Sequence, residues 1–423
     1  MTGGVAHPDP GSRGDQTSHH TVRAGNGGAD AGRGAELSRW HRQEILPWFG
    51  ADAQARLRRA HAVVVGCGAL GCAQADLLAR AGVGRLTLID RDVVEWTNLQ
   101  RQSLYVEDDA RRGVAKAAAA AARVRAIDSS ISVRECVADL VPENALECIG
   151  DADVIVDGLD GFETRYILND VAVSRGVPYV YCGVVAARGM TMPVVPAAAG
   201  AAAAPDVAGA AGAGPCLRCV FDEPPAAGVE PTCDTAGVFG PAVAVVAGLA
   251  AATAIRLLAG LHEQVDRSLV SFDLAGGARG AAGPFTRISL DGARRSDCVC
   301  CGTRRFEWLM GMRASDATAL CGRNAVQVKP VRSGSSGATG SLAVCADAAM
   351  NGAPDSLDAL AGRLRELGEV RVERGVVHAM PRGERSRTGE PIELAVFADG
   401  RTIVRGTSDI DEARRIHARL VGS

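Results

Sequence analysis

From residue 61 to residue 182, short β-branched runs alternate with alanine-rich stretches of helical spacing, the order expected of a parallel sheet with helices on its faces. Residues 62–65 read as a buried strand, and residues 85–90, 131–136, 153–157 and 179–182 as further strands. Residues 69–81, 112–127, 142–149 and 163–175 read as the helices between them. The apolar run at residues 241–255 is closed by Arg256 and is short and alanine-rich for a bilayer span, so a buried helix is expected. Residues 197–214 are almost entirely Ala, Gly and Pro, a composition that fills no core and reads as a surface insertion without chemistry. After Gly302 the pattern changes. Residues 357–367 and 410–420 are helical in spacing, and residues 392–397 and 402–405 are strand-like runs around a turn at Asp399-Gly400.

The expected organisation is therefore a disordered leader over residues 1–35, an α/β domain over 36–302, and a small α+β module over 303–423, with a linker near 313–318. The leader is assigned from its Gly, Asp, Ser and His content and its lack of an apolar segment. Composition narrows the function. With 46 basic and 49 acidic residues the net charge is -3, which supplies no electrostatic footprint for nucleic acid or an anionic membrane. Thirteen cysteines scattered through 423 residues, behind no signal-peptide pattern, point to the reducing cytoplasm, where thiols bind metal or do chemistry.

Candidate chemistry begins at Gly66-Cys67-Gly68-Ala69-Leu70-Gly71, which follows a predicted strand and opens a helix. Such glycines let backbone N–H groups approach a phosphate at the positive end of the helix. Asp90 ends the next strand, where a carboxylate can accept from ribose hydroxyls. The following stretch adds Asp92, Asn98 and Arg101, with Lys116 further on, and Asp157 and Asp160 close another strand at the same sheet edge. Cations for phosphates and a carboxylate for magnesium are what phosphoryl chemistry requires.

Two Cys-x-x-Cys knuckles, Cys216 with Cys219 and Cys298 with Cys301, have the spacing of a closed, structural four-thiolate zinc site, with Cys300 a spare or an alternative ligand. The expected fold class is thus α/β, a Rossmann-like, mostly parallel sheet with a four-cysteine zinc clamp, plus a small α+β module. Cys233 is either a nucleophile that takes an acyl group or carries sulfur, or a buried small apolar side chain.

Over residues 37–302 the chain resembles the HesA/MoeB/ThiF family, bacterial relatives of the ubiquitin-activating enzymes. Arg39-Trp40-His41-Arg42-Gln43 is similar to the family's opening Arg-Tyr-x-Arg-Gln. The Gly loop, Asn98-Leu99-Gln100-Arg101-Gln102, Glu163-Thr164-Arg165 and both knuckles follow in family order, while Leu159-Asp160-Gly161 stands where the family commonly has Thr-Asp-Asn. Residues 320–327 and 397–401 are similar to a C-terminal extension of ThiF/MoeB-type proteins in some Gram-positive bacteria, in which Cys321 is either a sulfur relay or a packed thiol.

The resemblance implies ATP- and Mg2+-dependent adenylation of the C-terminal glycine carboxylate of a ubiquitin-like sulfur-carrier protein ending in diglycine. A sulfur donor such as a cysteine desulfurase then completes a thiocarboxylate for thiamin, molybdopterin or related sulfur-transfer biosynthesis. It implies ATP on Gly66, Gly68 and Gly71, the ribose on Asp90 with Asp92 beside it, and Asn98, Arg101 and Lys116 around the phosphates. Asp160 would stand near Mg2+, Arg42 would reach a phosphate across a homodimer, and Cys233 falls where some members place a reactive thiol. Two rivals use fewer of these residues: an NAD-dependent oxidoreductase needs the Gly loop and Asp90, and a non-catalytic zinc-stabilised adaptor for a ubiquitin-like partner needs the knuckles.

Overall fold

The computed structural model describes residues 38–197, 213–225, 236–275, 285–313, 318–320, 324–328, 354–373, 375–397 and 400–421. The leader, residues 198–212 of the insertion, residues 314–317 of the linker, Cys233 and Cys321 lie outside them. The larger sheet contains β1 (His61–Val65), β2 (Arg85–Ile89), β3 (Ser132–Cys136), β4 (Val154–Asp157), β5 (Tyr179–Val185), β6 (Arg188–Val194), β7 (Ser268–Asp273) and β8 (Phe285–Ser289). Its order is β3-β2-β1-β4-β5-β6-β7-β8. The strands from β3 to β5 are parallel and the rest antiparallel.

The helices are α1 (His41–Glu44), α2 (Gly50–Leu57), α3 (Ala69–Ala81), α4 (Glu107–Arg112), α5 (Lys116–Ile127), α6 (Pro142–Ile149), α7 (Glu163–Arg175), α8 (Leu217–Val220) and α9 (Gly240–Leu258). Strand alternation divides the core in two. Ala62, Val64, Val154 and Val156 face one cluster with α3, α5 and α9, while Val63, Val65 and Ile155 face the other with α6 and α7. A strand apolar on both faces is the sequence signature of a parallel sheet covered on both sides. Helix α9 matches the expected buried helix, and it packs against α3, β5 and β6.

Two expectations change. The helix expected from residue 112 begins at Lys116, because Gly113 ends α4 in the left-handed conformation (φ +59°) and Lys116 N–H is taken by the Asp92 carbonyl at 2.9 Å. Strands β6 to β8 were not expected, since Gly189 and Pro193 lie within β6 and β8 is exposed along its length.

The C-terminal residues form a second, antiparallel sheet from β9 (Thr318–Leu320), β10 (Ala325–Val328), β11 (Gly368–Glu373), β12 (Val376–Pro381), β13 (Glu393–Phe397) and β14 (Thr402–Arg405), in the order β11-β12-β13-β14-β10-β9. Helices α10 (Pro354–Leu367) and α11 (Ile410–Leu420) complete it, and Asp409 caps α11 by accepting from Glu412 N–H at 3.0 Å. One face of the sheet packs Val377, Val396 and Val404 against Leu364, Ala413 and Ile416 of these helices. The other face adds Ala325, Val376, Ala395, Phe397 and Ile403 to the core of the α/β domain.

Candidate active site

A cleft opens at the C-terminal ends of β1, β2 and β4, lined among others by Gly68, Asp90, Arg101, Lys116 and Asp160. Chain direction forces a crevice there: the connection after β1 leads to β2 on one side, and β4 lies on the other. The loop glycines have distinct jobs. Gly66 needs φ +88°, and a Cβ on it would meet the Gly158 backbone at 2.7 Å. A Cβ on Gly71 would stand 1.8 Å from the Gly66 carbonyl oxygen. Gly68 differs, because its Cβ would find only the Gly158 oxygen at 3.8 Å. Its bare Cα therefore serves the cleft and not the packing, which suits close approach of a phosphate at the start of α3.

Asp90 ties the loop to the next turn. Its carboxylate accepts from Cys67 N–H and from Asp92 N–H, each at 2.7 Å. Burial pushes its pKa up, and the Lys116 charge and the two N–H groups oppose that rise. Lys116 is 3% exposed and pairs through Nζ with the Asp92 carboxylate at 3.2 Å. Arg101 also lines the cleft, with one guanidinium nitrogen anchored on the Thr97 carbonyl at 2.9 Å. Asp160 stands exposed on the opposite wall.

The other expected residues take different places. Asn98 is not among the cleft-lining residues; its Oδ1 accepts from Glu95 N–H at 3.0 Å, and its carbonyl accepts from the N–H groups of Arg101 and Gln102. Arg42 is exposed on α1 and is absent from the cleft lining of its own chain. Asp157, fully buried, turns away from the cleft. Its carboxylate accepts from Arg165 Nε at 3.0 Å and from the Tyr179 hydroxyl at 2.7 Å. Burial pushes the Asp157 pKa up, against the Arg165 charge.

Three contributors carried no role in the sequence. Arg165 donates to the carbonyls of Leu159 at 2.6 Å and Cys182 at 2.9 Å, so it fixes the loop that carries Asp160. Gln102 is buried at the cleft wall, and its Oε1 has no hydrogen-bond partner among the described residues. An orphaned buried acceptor is costly unless a ligand donor meets it. Arg91, on the same wall, pairs with Asp139 at 3.3 Å. Charge beside Asp90 was the available signal for Arg91, but nothing in the spacing announced Asp139.

The four cysteine sulfurs of Cys216, Cys219, Cys298 and Cys301 all lie within 4.8 Å of one another. The separations of 3.3 Å (Cys219 to Cys301), 3.6 Å (Cys216 to Cys298) and 3.9 Å (Cys216 to Cys219) bracket the edge of about 3.8 Å expected of a tetrahedral zinc–thiolate site. Cys300 is not part of the cluster; its sulfur accepts from Asn169 Nδ2 at 3.2 Å.

A family model described as the ThiF family matches residues 40–300. Sulfur carrier protein ThiS adenylyltransferase of Bacillus subtilis is 38% identical over 385 residues, 91% of this chain and 99% of that one, so the likeness runs into the C-terminal module. Sulfur carrier protein adenylyltransferase of Thermus thermophilus is 40% identical over 287 residues, 68% of this chain and 97% of that one. The crystal structure of E. coli MccB with AMPCPP and MccA superposes with a TM-score of 0.51 at 24% identity, covering 63% of this chain and 74% of that one, a likeness of fold alone. The chain belongs to the ThiF family, as an adenylyltransferase of the ThiF/MoeB type.

Proposed function

We propose that the chain uses ATP to adenylate the C-terminal glycine carboxylate of a ubiquitin-like sulfur-carrier protein ending in diglycine. The observation that carries this is the convergence of a bare Gly68, two cations (Arg101 and Lys116) and an exposed carboxylate (Asp160) on one cleft. A carboxylate oxygen of the carrier attacks the α-phosphorus, the bond from that phosphorus to the bridging oxygen breaks, and pyrophosphate leaves. The products are an acyl adenylate and pyrophosphate, so the chain must place the reactants and neutralise charge.

The loop N–H groups and the start of α3 receive phosphate, Asp90 with Asp92 faces the ribose, and Arg101 and Lys116 oppose the charge that moves to the leaving group. Asn98 acts one step back, by shaping the turn that delivers Arg101 and Gln102. Magnesium, when bound, supplies further neutralisation of the phosphates, and Asp160 is the carboxylate placed to hold it. Zinc fits the four sulfurs as a clamp between the two knuckles, with no open position for chemistry. Arg42 completes the phosphate site from a second copy in a homodimer. A sulfur donor of the cysteine-desulfurase type, carrying its sulfur as a persulfide, then displaces AMP to give an acyl disulfide. A second thiol, for which Cys233 is the candidate, attacks the donor's sulfur, releasing the thiocarboxylate and leaving a disulfide for a thiol reductant to reopen, in thiamin or molybdopterin synthesis in the cytoplasm.

ATP–pyrophosphate exchange tests this reading. Folded, zinc-loaded protein should exchange with a diglycine-ended carrier, and Lys116→Ala and Asp160→Ala should each lose at least about a hundredfold in rate. Absence of exchange with every such carrier contradicts it.

A further inference from the structure

The C-terminal module grips the nucleotide cleft from outside, at the segments that carry its walls. Arg401, 2% exposed, donates to the Arg91 carbonyl at 2.6 Å, and its guanidinium lies 3.9 Å from the Phe397 ring centroid. Gln327, 1% exposed, donates through Nε2 to Asp139 Oδ2 at 3.0 Å, while Asp139 Oδ1 faces Arg91. Arg405 pairs with Glu95 at 2.6 Å, at the joint between the Asp90–Asp92 turn and the turn that carries Arg101. On the far side His378 contacts the Gly113 carbonyl at 3.0 Å and Arg371 donates to the Arg111 carbonyl at 3.1 Å, just ahead of Lys116. The fit at Gly113 is close, since a Cβ there would stand 3.0 Å from the His378 ring.

We infer that the module is a positioning element of the nucleotide site: Arg401, Gln327 and Arg405 hold the Arg91–Asp139 wall and the Glu95 joint in the geometry that binds ATP. None of the three residues lines the cleft. Their partners do, or lead directly into residues that do. The shared apolar core makes the contact a packed one, and two packed layers move as a unit where a tethered domain does not. The Arg401 and Arg405 grips meet the segment from Asp90 to Glu95, which has no regular helix or strand of its own, and the Gln327 grip meets Asp139, between β3 and α6. The module adds restraint to the segment from Asp90 to Glu95 beyond the Val94 N–H to Val114 carbonyl and Lys116 N–H to Asp92 carbonyl bonds of the α/β domain. The inference rests on the reading of the cleft as an ATP site.

The test uses full-length, zinc-loaded protein with Arg405→Glu, the reversed pair Arg405→Glu/Glu95→Arg, and Gln327→Leu. ATP affinity by calorimetry, KM for ATP and kcat in pyrophosphate exchange, and Tm are measured on each. Arg405 and Glu95 are 28% and 25% exposed, so reversal is compatible with folding. Arg405→Glu and Gln327→Leu should each weaken ATP binding and raise KM about three- to tenfold with kcat within about twofold, and the reversed pair should recover most of the loss. A module that serves only stability would lower Tm and leave the ATP affinity of the folded protein unchanged, which overturns the inference. Wild-type protein that binds no ATP overturns the reading of the cleft; wild-type protein that binds ATP no better than the variants overturns this inference alone.

Discussion

Gly71 and Gly68 stand three residues apart and respond oppositely to one added methyl group. At Gly71 the methyl would stand 1.8 Å from a carbonyl oxygen of the interlocked loop, so Gly71→Ala should cost at least about 3 kcal/mol of stability in denaturant unfolding. Gly68→Ala meets no protein atom closer than 3.8 Å and should unfold within about 0.5 kcal/mol of wild type while binding ATP about tenfold more weakly. Equal stability losses would remove Gly68 from the site. Arg165→Met isolates the buried Asp157 carboxylate and should cost about 3–5 kcal/mol. The glycines and Asp90 were legible because they stand at strand ends at a spacing with a physical reason, and Lys116 through the family resemblance. Arg165 was visible as a residue but not as a role, because its partners Asp157, Leu159 and Cys182 converge only in the fold. Asn98 was expected beside the phosphates; its Oδ1 accepts from Glu95 N–H at 3.0 Å, and it is not among the residues that line the cleft.

At the scale of elements, the knuckles join α8 and the turn after β8, which also meet through the core around Cys298 and Cys300, the Arg295–Asp222 pair at 3.1 Å and the Arg218–Glu307 pair at 3.4 Å. Chelation should release one zinc per chain and lower Tm by at least about 10 °C, and Cys219→Ser should do the same without chelator. No metal released and no change in Tm would contradict the clamp. The contact between β12 and the end of α4 should be pH-sensitive. Burial pushes the His378 pKa down to about 4 from 6.5; the Arg371 and Arg405 charges add to the fall, and the Gly113 carbonyl and Glu373 oppose it. Between those values the unfolded chain holds a proton that the folded chain refuses, so this stability is complete above pH 6.5 and is lost as pH drops toward 4. Wild-type Tm should therefore fall more than that of His378→Gln between pH 7 and pH 5; parallel curves would contradict it. Strands β2 and β3 carry polar residues among their β-branched positions, whereas β1 and β4 were readable as apolar runs. Strands β6 to β8 were not, since in them glycine, proline and exposed positions are tolerated by antiparallel pairing near a sheet edge.

For the whole molecule, sequence pattern divided the chain at Gly302, and the structure places both parts on one continuous core. A sheet that packs helices on one face and a neighbouring domain on the other cannot be read from strand alternation, which marks both faces as buried without naming what covers them. The account centres on transfer of the adenylyl group, and not of a phosphate, to a protein carboxylate. The most direct measurement follows ATP labelled either in its α-phosphate or in its γ-phosphate during incubation with the protein and a diglycine-ended carrier. The account predicts that the α-label travels with the carrier, is lost on mild base treatment, and requires the carrier's final glycine, while the γ-label appears only in pyrophosphate. Carrier labelled from the γ-position, or carrier never labelled by folded protein that hydrolyses ATP, would contradict it.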